Sequence, residues 1–218
     1  MKEQVPYINI HTHHIFDKEG VFVLNLSPEQ FVDGTLCSVG VHPWHINLIS
    51  VENDLKKLQS IATKKSVLAI GECGLDGLID MSLVQQELVF KAQLMIAEHI
   101  QKPVIIHCVK AFDSLIRIKK ELKLTVPLVV HGYNNNQQIL LELLKNGFYI
   151  SFGKALLIEG SNASKLFSTI AIDKLFLETD DSDVSIKAIF DKAAELKGMK
   201  VNKLKEKIFL NFKQVFKA

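Results

Sequence analysis

Short apolar runs alternate with amphipathic stretches along most of the chain. A run of four to six apolar residues bounded by polar or turn-forming residues is typical of a buried strand. Because such runs recur between helical patterns, the chain predicts a parallel sheet covered by helices. Eight runs are predicted as strands: 6–10, 21–26, 36–41, 67–71, 103–107, 127–131, 148–151 and 174–178.

Helices are predicted where apolar residues recur every three or four positions. Val51, Leu55 and Leu58 follow this spacing after Ser50, which predicts a helix beginning there. Four further helices are predicted in the same way. They cover a stretch from Leu83 to before Pro103, a stretch around Leu140 that ends at Gly147, a stripe from Ile186 to Gly198, and a last stripe from Leu204 to Val215.

Eight strands in βα order predict an α/β fold of the (β/α)8 TIM-barrel type. The 218 residues lie near the short end of the range of about 200 to 400 residues for this fold. About ten residues separate the first two predicted strands, too few for a full crossover helix. We therefore expect one domain, 1–218, trimmed near its N-terminus, with an open doubly wound sheet as the alternative.

Composition limits the function classes only loosely. The chain is 48% hydrophobic and 23% charged, and its net charge of +2 gives no global attraction to nucleic acid. Residues 1–10 lack the apolar core of a signal peptide, and no apolar run reaches membrane-spanning length. The three cysteines have no CxxC spacing, so we interpret them as reduced structural residues. We expect a cytoplasmic monomer that has no contact with membranes.

Polar side chains follow the predicted strands. The stretch INIHTHH, residues 8–14, ends the first strand, and two imidazoles two positions apart on a strand point to the same side. In a barrel of this type the chemistry lies at the carboxyl ends of the strands. The groups found there are expected to converge on one mouth: His11, His13, His42, Glu72, His107, His131, Ser151 and the segment 178–180.

The charges of six of these groups indicate a metal centre. Four neutral imidazoles (His11, His13, His107, His131) and two carboxylates (Glu72, Asp180) sum to −2, so two divalent cations would leave +2. Such a centre would attract an anionic substrate. Mixed imidazole and carboxylate ligands favour Zn²⁺ or Mn²⁺ over a Ca²⁺ cage of oxygens, and Mg²⁺ is a further candidate. Two ions about 3.5–4 Å apart are typical of hydrolytic centres.

Seven stretches resemble motifs of the TatD family of metal-dependent deoxyribonucleases, a branch of the amidohydrolase-type barrels, and they occur in the same order along the chain. They are NIHTH (9–13), GVHPWH (40–45), AIGECGLD (69–76), PVIIHC (103–108), HGYNNN (131–136), GFYISF (147–152) and LFLETD (175–180). A shorter match, NFKQVF (211–216), lies at the end of the chain. The resemblance implies a metal-dependent, DNA-cleaving hydrolase with a TIM-barrel fold.

The resemblance also implies roles for individual residues. His11, His13 and Asp180 would hold one ion, His107 and His131 the other, and Glu72 would bridge the two. Asp180 and Glu72 would be catalytic, whereas His42 would face the substrate phosphate. His14 and His45 match no ligand position and are interpreted as solvent-facing, and His99 as a surface residue on a helix.

The chain departs from the family pattern at four places, one of which is the short loop after the first strand. Asn9 stands where the family has Asp, so a negative charge beside the ligands is lost, and an amide raises the basicity of a ligand less than a carboxylate does. HCVKA, with Lys110, replaces the usual His-Ser-Arg-Asp, and DSDVSI follows the ETD motif in place of Ala-Pro-Tyr-Leu. The ligands are thus retained while the substrate-facing segments differ.

Three functions remain open on the sequence alone. The first is a phosphodiesterase of deoxyribonuclease type that uses a two-metal centre and a metal-activated water, which Asp180 would orient or deprotonate. The second is a hydrolase of the same fold acting on a lactone, an amide or a small phosphoester, because fold and metal do not determine substrate. The third is a non-catalytic metal-binding protein. All six predicted ligands are present, and Trp44 could stack on a base, which favours the first.

Overall fold

Eight parallel strands in chain order form one sheet in the computed structural model, which describes residues 5–15 and 19–217. The prediction of a (β/α)8 TIM-type barrel is therefore confirmed. Each strand begins within two residues of its predicted first residue, although β4 is five residues longer than expected. The strands are β1 Ile8–Thr12, β2 Val21–Leu26, β3 Cys37–Val39, β4 Val67–Asp76, β5 Val104–Val109, β6 Leu128–Val130, β7 Tyr149–Phe152 and β8 Leu175–Leu177.

Within residues 5–15 and 19–217, seven α-helices follow the strands, and the five predicted helices are all present. Two were not predicted: α3, whose buried face of Phe112, Leu115 and Ile118 has helical spacing, and α5, which has only five residues. The helices are α1 Val51–Ile61, α2 Leu83–Ile100, α3 Phe112–Leu122, α4 Gln137–Lys145, α5 Asn162–Leu166, α6 Ile186–Lys197 and α7 Val201–Phe216. Of the helices described, none is long and apolar enough to cross a membrane.

The prediction that the barrel is trimmed near its N-terminus, by the lack of a crossover helix there, is also confirmed for the described residues. Among the described residues, neither the connection from β1 to β2 nor that from β2 to β3 contains a helix. The first crossover helix, α1, follows β3. The short connection allows β1 and β2 to pair directly, with Ile8 opposite Val21 and Asn9 opposite Phe22.

The chain divides into two compact units, and the extent of a single domain over 1–218 stays a prediction. Unit 1 comprises Met1–Leu24 and His131–Ala218. Its core is rich in fully buried phenylalanines: Phe148, Phe152, Phe167, Phe176 and Phe190. The side chain of Asn211 on α7 donates to the carbonyl oxygens of Ile172 and Leu175, which attaches this helix to the start of β8.

Unit 2 comprises Asn25–Val130. All ten residues of β4 are buried, and β4 pairs with β3 on one side and β5 on the other. Two buried glutamines of α2 complete the hydrogen bonding at the carboxyl ends of strands. Gln93 accepts from the backbone N–H of Val41 at 2.8 Å and donates to its carbonyl at 3.0 Å, and Gln86 does the same for Asp76 at 2.7 and 2.9 Å.

The three cysteines are free thiols, as predicted. Cys37 and Cys73 are buried, and Cys108 is partly buried. Burial raises the pKa of the Cys37 thiol to about 11 and that of Cys108 to about 12, and it raises the pKa of Cys73 as well. These thiols are therefore protonated at neutral pH.

Candidate active site

The first cluster lies in unit 1 and consists of His11, His13, His131, Glu178 and Asp180. Its backbone is held by reciprocal hydrogen bonds: Asp180 donates its N–H to the carbonyl of His11 at 3.1 Å and accepts from the N–H of His13 at 3.0 Å. Asp180 has a left-handed backbone with φ of 54°. Aspartate tolerates this conformation better than most residues, so the turn after β8 can present a carboxylate here.

The side chains of His11 and His13 face the Asp180 carboxylate. Nε2 of His11 lies 3.3 Å from Oδ1 of Asp180, and Nε2 of His13 lies 3.5 Å from the same oxygen. Burial opposes ionisation of Asp180, but the two imidazoles outweigh it and hold the pKa of this carboxyl well below its usual value. Asp180 is therefore an anion at neutral pH.

The imidazole of His131 lies against His11, with ring centroids 4.4 Å apart. Nδ1 of His131 lies 3.3 Å from Oε1 of Glu178, which also accepts from the N–H of Gly132 at 2.6 Å. Glu178 is fully buried, and its Oε2 has no hydrogen-bond partner among the described residues. A buried carboxylate oxygen without a partner is costly unless a cation or water satisfies it. The geometry of this cluster is thus compatible with a bound cation.

Asn9 uses both ends of its amide. Its Nδ2 donates to Oγ1 of Thr179 at 2.8 Å, and its Oδ1 accepts from the N–H of Thr179 at 3.2 Å. The Thr179 hydroxyl can then donate to Oγ1 of Thr12 at 2.9 Å, which donates to the carbonyl of His14 at 2.6 Å. A carboxylate at position 9 could not donate to Thr179. The amide therefore fits a hydrogen-bond chain that links β1 to the segment after β8.

The second cluster lies in unit 2 and consists of His42, Glu72, Asp76 and His107. Glu72 and Asp76 come from the buried strand β4, and His107 from β5. The strands approach closely because Gly74, opposite His107, has no side chain. A Cβ at Gly74 would lie 1.9 Å from the carbonyl oxygen of His107, so only glycine is accommodated there.

Glu72 contacts side chains from strands β5 and β2. Nδ1 of His107 lies 3.0 Å from Oε1 of Glu72. Asn25, at the end of β2, donates its Nδ2 to Oε2 of Glu72 at 3.3 Å and accepts from the N–H of Glu72 at 2.8 Å. Glu72 is 4% exposed, so these contacts fix the direction of a buried carboxylate.

The hydrogen bonds of His42 determine its tautomer. Nδ1 accepts from the backbone N–H of Trp44 at 3.1 Å, so in the neutral ring the proton lies on Nε2. Nε2 lies 3.1 Å from Oε1 of Glu72 and therefore donates to it. Burial is the largest influence on His42 and lowers the pKa of its imidazole, although Glu72 opposes this. A neutral ring with its proton on Nε2 is a hydrogen-bond donor rather than a metal ligand at that atom.

Asp76 connects the cluster to an exposed aromatic ring. Its Oδ2 accepts from Nε1 of Trp44 at 2.7 Å and lies 3.2 Å from Nε2 of His107, while its Oδ1 accepts from the N–H of Leu78 at 2.9 Å. Burial opposes ionisation, but these donors prevail and lower the pKa of the Asp76 carboxyl. Asp76 is thus a buried anion beside His107.

The two clusters contain every predicted ligand together with residues that were not predicted. Asp76 and Asn25 were missed, although each is a polar residue near the carboxyl end of its strand. Glu178 was noted within the ETD motif but received no role. His14, His45 and His99 are exposed, as expected for residues outside the site.

Both clusters have donor atoms spaced for metal binding. One ligand atom each from His11, His131 and Asp180 lie within 4.8 Å of one another, as do one each from His42, Glu72 and His107. Nitrogen and carboxylate donors of this kind suit first-row divalent ions. Since Nε2 of His42 carries the proton, Glu72 and His107 are the better ligands in the second cluster. The described side chains could therefore hold metal.

Imidazole and carboxylate groups at the strand ends of a barrel place the chain in the class of TIM-barrel enzymes, whose active sites lie at the carboxyl ends of the strands. Residues 21–217 match the family model described as TatD related DNase. The chain belongs to the TatD related DNase family. The predicted family and the prediction of an enzyme of the hydrolase class are thereby confirmed.

Three similar proteins illustrate the range of the family. A TATDN1 homologue from Enterocytozoon bieneusi is 32% identical over 204 residues, which cover 88% of this chain and 71% of that protein. The 3′–5′ ssDNA/RNA exonuclease TatD of Pantoea sp. is 35% identical over 147 residues, covering 66% of this chain and 56% of that protein. The crystal structure of the TatD homologue YjjV from Escherichia coli superposes with a TM-score of 0.83 at 20% identity, covering 97% and 98% of the two chains.

Proposed function

We propose that the protein is a metal-dependent phosphodiesterase of deoxyribonuclease type that acts on single-stranded DNA. The observation that carries this proposal is the pair of imidazole–carboxylate clusters at the strand ends. The family description and the activity named for the Pantoea relative support a nucleic-acid substrate. The net charge of +2 adds little, so substrate affinity would come from the site itself.

We propose one divalent ion for each cluster. His11, His13 and Asp180 would hold one ion, as the resemblance implies, and the proximity of His131 to His11 adds His131 as a candidate ligand of the same ion. His107 and Glu72 would hold the other, and the bridging role implied for Glu72 stays a prediction. Bound ions would supply positive charge that neutralises the phosphate and would lower the pKa of a water molecule.

Asp180 is proposed as the general base. Its side chain is 30% exposed and ionised, so it can accept a proton from the attacking water. The contacts of Oδ1 with His11 and His13 hold the carboxylate in one orientation. Such positioning matters because a base must lie within hydrogen-bond reach of the proton that it removes.

His42 is proposed as a donor to a phosphate oxygen. Its Nε2–H already donates to a carboxylate oxygen of Glu72, which shows the kind of partner that this atom accommodates. The backbone N–H of Trp44 on Nδ1 maintains this tautomer. A neutral donor would contribute to substrate binding more than to proton transfer.

One assay tests this function. Metal-reconstituted protein is incubated with 3′-labelled single-stranded DNA, with bis-p-nitrophenyl phosphate, and with a panel of lactones and amides. We expect cleavage of the two phosphodiesters that stops on chelation and returns with Zn²⁺, Mn²⁺ or Mg²⁺. Opening of a lactone or amide without phosphodiester cleavage would replace the proposal with the second hydrolase hypothesis, and no turnover of any substrate would favour a non-catalytic protein.

The number of ions and the role of Glu72 can be tested in the same preparation. Elemental analysis should find up to two divalent ions per chain. Glu72→Gln should lower the occupancy of both ions if the carboxylate bridges them, and of one ion if it does not. The cytoplasmic location and the monomeric state stay predictions, and size-exclusion chromatography with light scattering tests the latter.

A further inference from the structure

Trp44 is a large aromatic side chain that remains 61% exposed beside the second cluster. It is the single tryptophan of the chain. Its ring centroid lies 5.0 Å from that of His42 and 5.8 Å from that of His107, both in edge-to-face arrangements. An exposed tryptophan at this position is unusual in a purely structural role, because most of its apolar surface stays in contact with water.

The ring is held in place by its polar edge. Nε1 donates to Oδ2 of Asp76 at 2.7 Å, and Asp76 is only 3% exposed. The second oxygen of Asp76 accepts from the N–H of Leu78, and the backbone of Asp76 is bonded in both directions to Gln86. The acceptor of the indole N–H is thus itself rigid.

The backbone of Trp44 is fixed as well. Its N–H donates to Nδ1 of His42, and it lies in a single turn of 3₁₀ helix, Pro43–His45, whose first residue is a buried proline. A side chain held at both ends loses little conformational entropy when a ligand contacts it. Trp44 is therefore a preformed surface rather than a flexible one.

We propose that the exposed ring of Trp44 stacks on a nucleobase of a single-stranded nucleic-acid substrate. This inference rests on the proposed function, because the ring lies beside His42, the proposed donor to the phosphate, and His107, a proposed metal ligand. Every nucleobase presents a π face, so one tryptophan can accept any of them. The contact would make the site selective for nucleic acid over small phosphoesters without reading a sequence.

Tryptophan fluorescence reports this contact directly, because no other tryptophan contributes. Metal-loaded protein is titrated with a phosphorothioate oligothymidylate of eight residues, which resists cleavage, and with a phosphorothioate octamer of abasic residues that carries the same charge. We expect quenching by the thymidylate and about 5- to 100-fold weaker binding of the abasic octamer, in line with stacking of one base on an aromatic ring. Equal binding of the two octamers, or binding without quenching, would overturn the inference.

Two substitutions separate the contribution of the aromatic face of Trp44 to substrate binding from that of its indole N–H. Trp44→Leu should raise KM for (dT)8 about 5- to 100-fold and leave KM for the cleavable abasic octamer unchanged. Trp44→Phe keeps a π face but loses the donor to Asp76, so it should retain much of the discrimination between the octamers. Leu88→Ala, an exposed residue of α2 in the same unit, is the matched control and should change neither KM.

The outcomes distinguish this inference from the proposed function. If wild type cleaves (dT)8 and Trp44→Leu keeps the same KM, the stacking role is wrong while the nuclease stands. If wild type neither binds nor cleaves (dT)8, both proposals fall together. If circular dichroism shows that Trp44→Leu does not fold, the titration of wild type with the two octamers still tests whether Trp44 stacks on a base.

Discussion

Oδ2 of Asp76 lies 3.2 Å from Nε2 of His107. On the other side of the ring, Nδ1 of His107 lies 3.0 Å from Oε1 of Glu72. A neutral imidazole has one donor nitrogen and one acceptor nitrogen, and both of these neighbours are acceptors. A proton held on Nε2 by Asp76 leaves the Nδ1 lone pair directed towards Glu72, which is the arrangement that a metal ligand requires.

Asp76→Asn should therefore weaken metal binding. The amide retains one acceptor oxygen but loses the charge that fixes the proton of His107. Loss of a hydrogen-bond partner of a metal ligand typically lowers the affinity for the metal about 10- to 100-fold. Isothermal titration of the metal-free variant with Zn²⁺ measures the change, and Asp80→Asn, an exposed residue four positions on, is the control. Unchanged affinity would mean that Asp76 serves only to hold Trp44.

Asp180→Asn should lower kcat by about 10²- to 10⁴-fold, the usual contribution of a general base. Asparagine also tolerates a left-handed backbone, so the turn should survive. Asp181→Asn, which alters an exposed partner of Lys154, is the control. Steady-state kinetics on one phosphodiester give the result, and a near-normal kcat for Asp180→Asn would remove the role assigned to it.

His42→Ala should act mainly on KM for the same phosphodiester. Its Nε2–H is proposed to donate to a phosphate oxygen, and an interaction made equally in the ground and transition states changes KM rather than kcat. The measurement is of kcat and KM for His42→Ala and Asp180→Asn on the same phosphodiester. A loss confined to kcat would assign His42 to the chemical step instead.

His11→Ala should weaken one of the two ions selectively. His11 is fully buried and faces Asp180, so its removal leaves the second cluster in unit 2 intact. Elemental analysis after dialysis against limiting metal reports the occupancy. His45→Ala, at an exposed position, should leave the metal content unchanged. Loss of both ions from His11→Ala would indicate that the sites bind cooperatively.

Asn9→Asp should destabilise the protein although it restores the residue typical of the family. The side chain is 1% exposed and donates to Thr179, and a carboxylate cannot make that bond. Leaving a buried polar group unsatisfied costs about 1–3 kcal/mol. Denaturant unfolding of the metal-free protein measures the loss, which should shrink at acidic pH as the new carboxyl is protonated. Equal stability at neutral pH would show that Thr179 reorients to donate instead.

The cysteines should resist alkylation in the native state. Burial raises the pKa of the Cys37 thiol to about 11 and that of the Cys108 thiol to about 12. Little thiolate therefore exists at about pH 8, which is close to the ordinary pKa of a thiol. Below its raised pKa each thiol stays protonated in the folded state, whereas unfolding restores the ordinary value. Mass spectrometry after iodoacetamide treatment should find unmodified native protein and threefold modification in denaturant. Rapid native labelling would place a thiol in an accessible position.

The barrel was predictable because its determinants are local. Strand and helix candidates follow from hydrophobic spacing within about ten residues. The absence of a helix from the described part of the connection between β1 and β2 follows from the short distance between these strands. The ligands were predictable for a related reason. Each stands directly after an apolar run, and the carboxyl ends of parallel strands carry the chemistry of a barrel. No long-range information is needed to identify His11, His107 or Asp180 as candidates.

Tertiary structure decided what these residues contact. Spacing along the chain cannot show that Asp76 meets His107 across two strands, because that depends on the register that Gly74 permits. Nor can it show that the backbone of Trp44 sets the tautomer of His42 while its indole binds Asp76. The sequence by itself determined which groups are present and on which strand each lies. The direction of each proton and lone pair was decided by contacts between residues distant in the chain, since hydrogen bonds depend on distances and angles that only the folded protein defines.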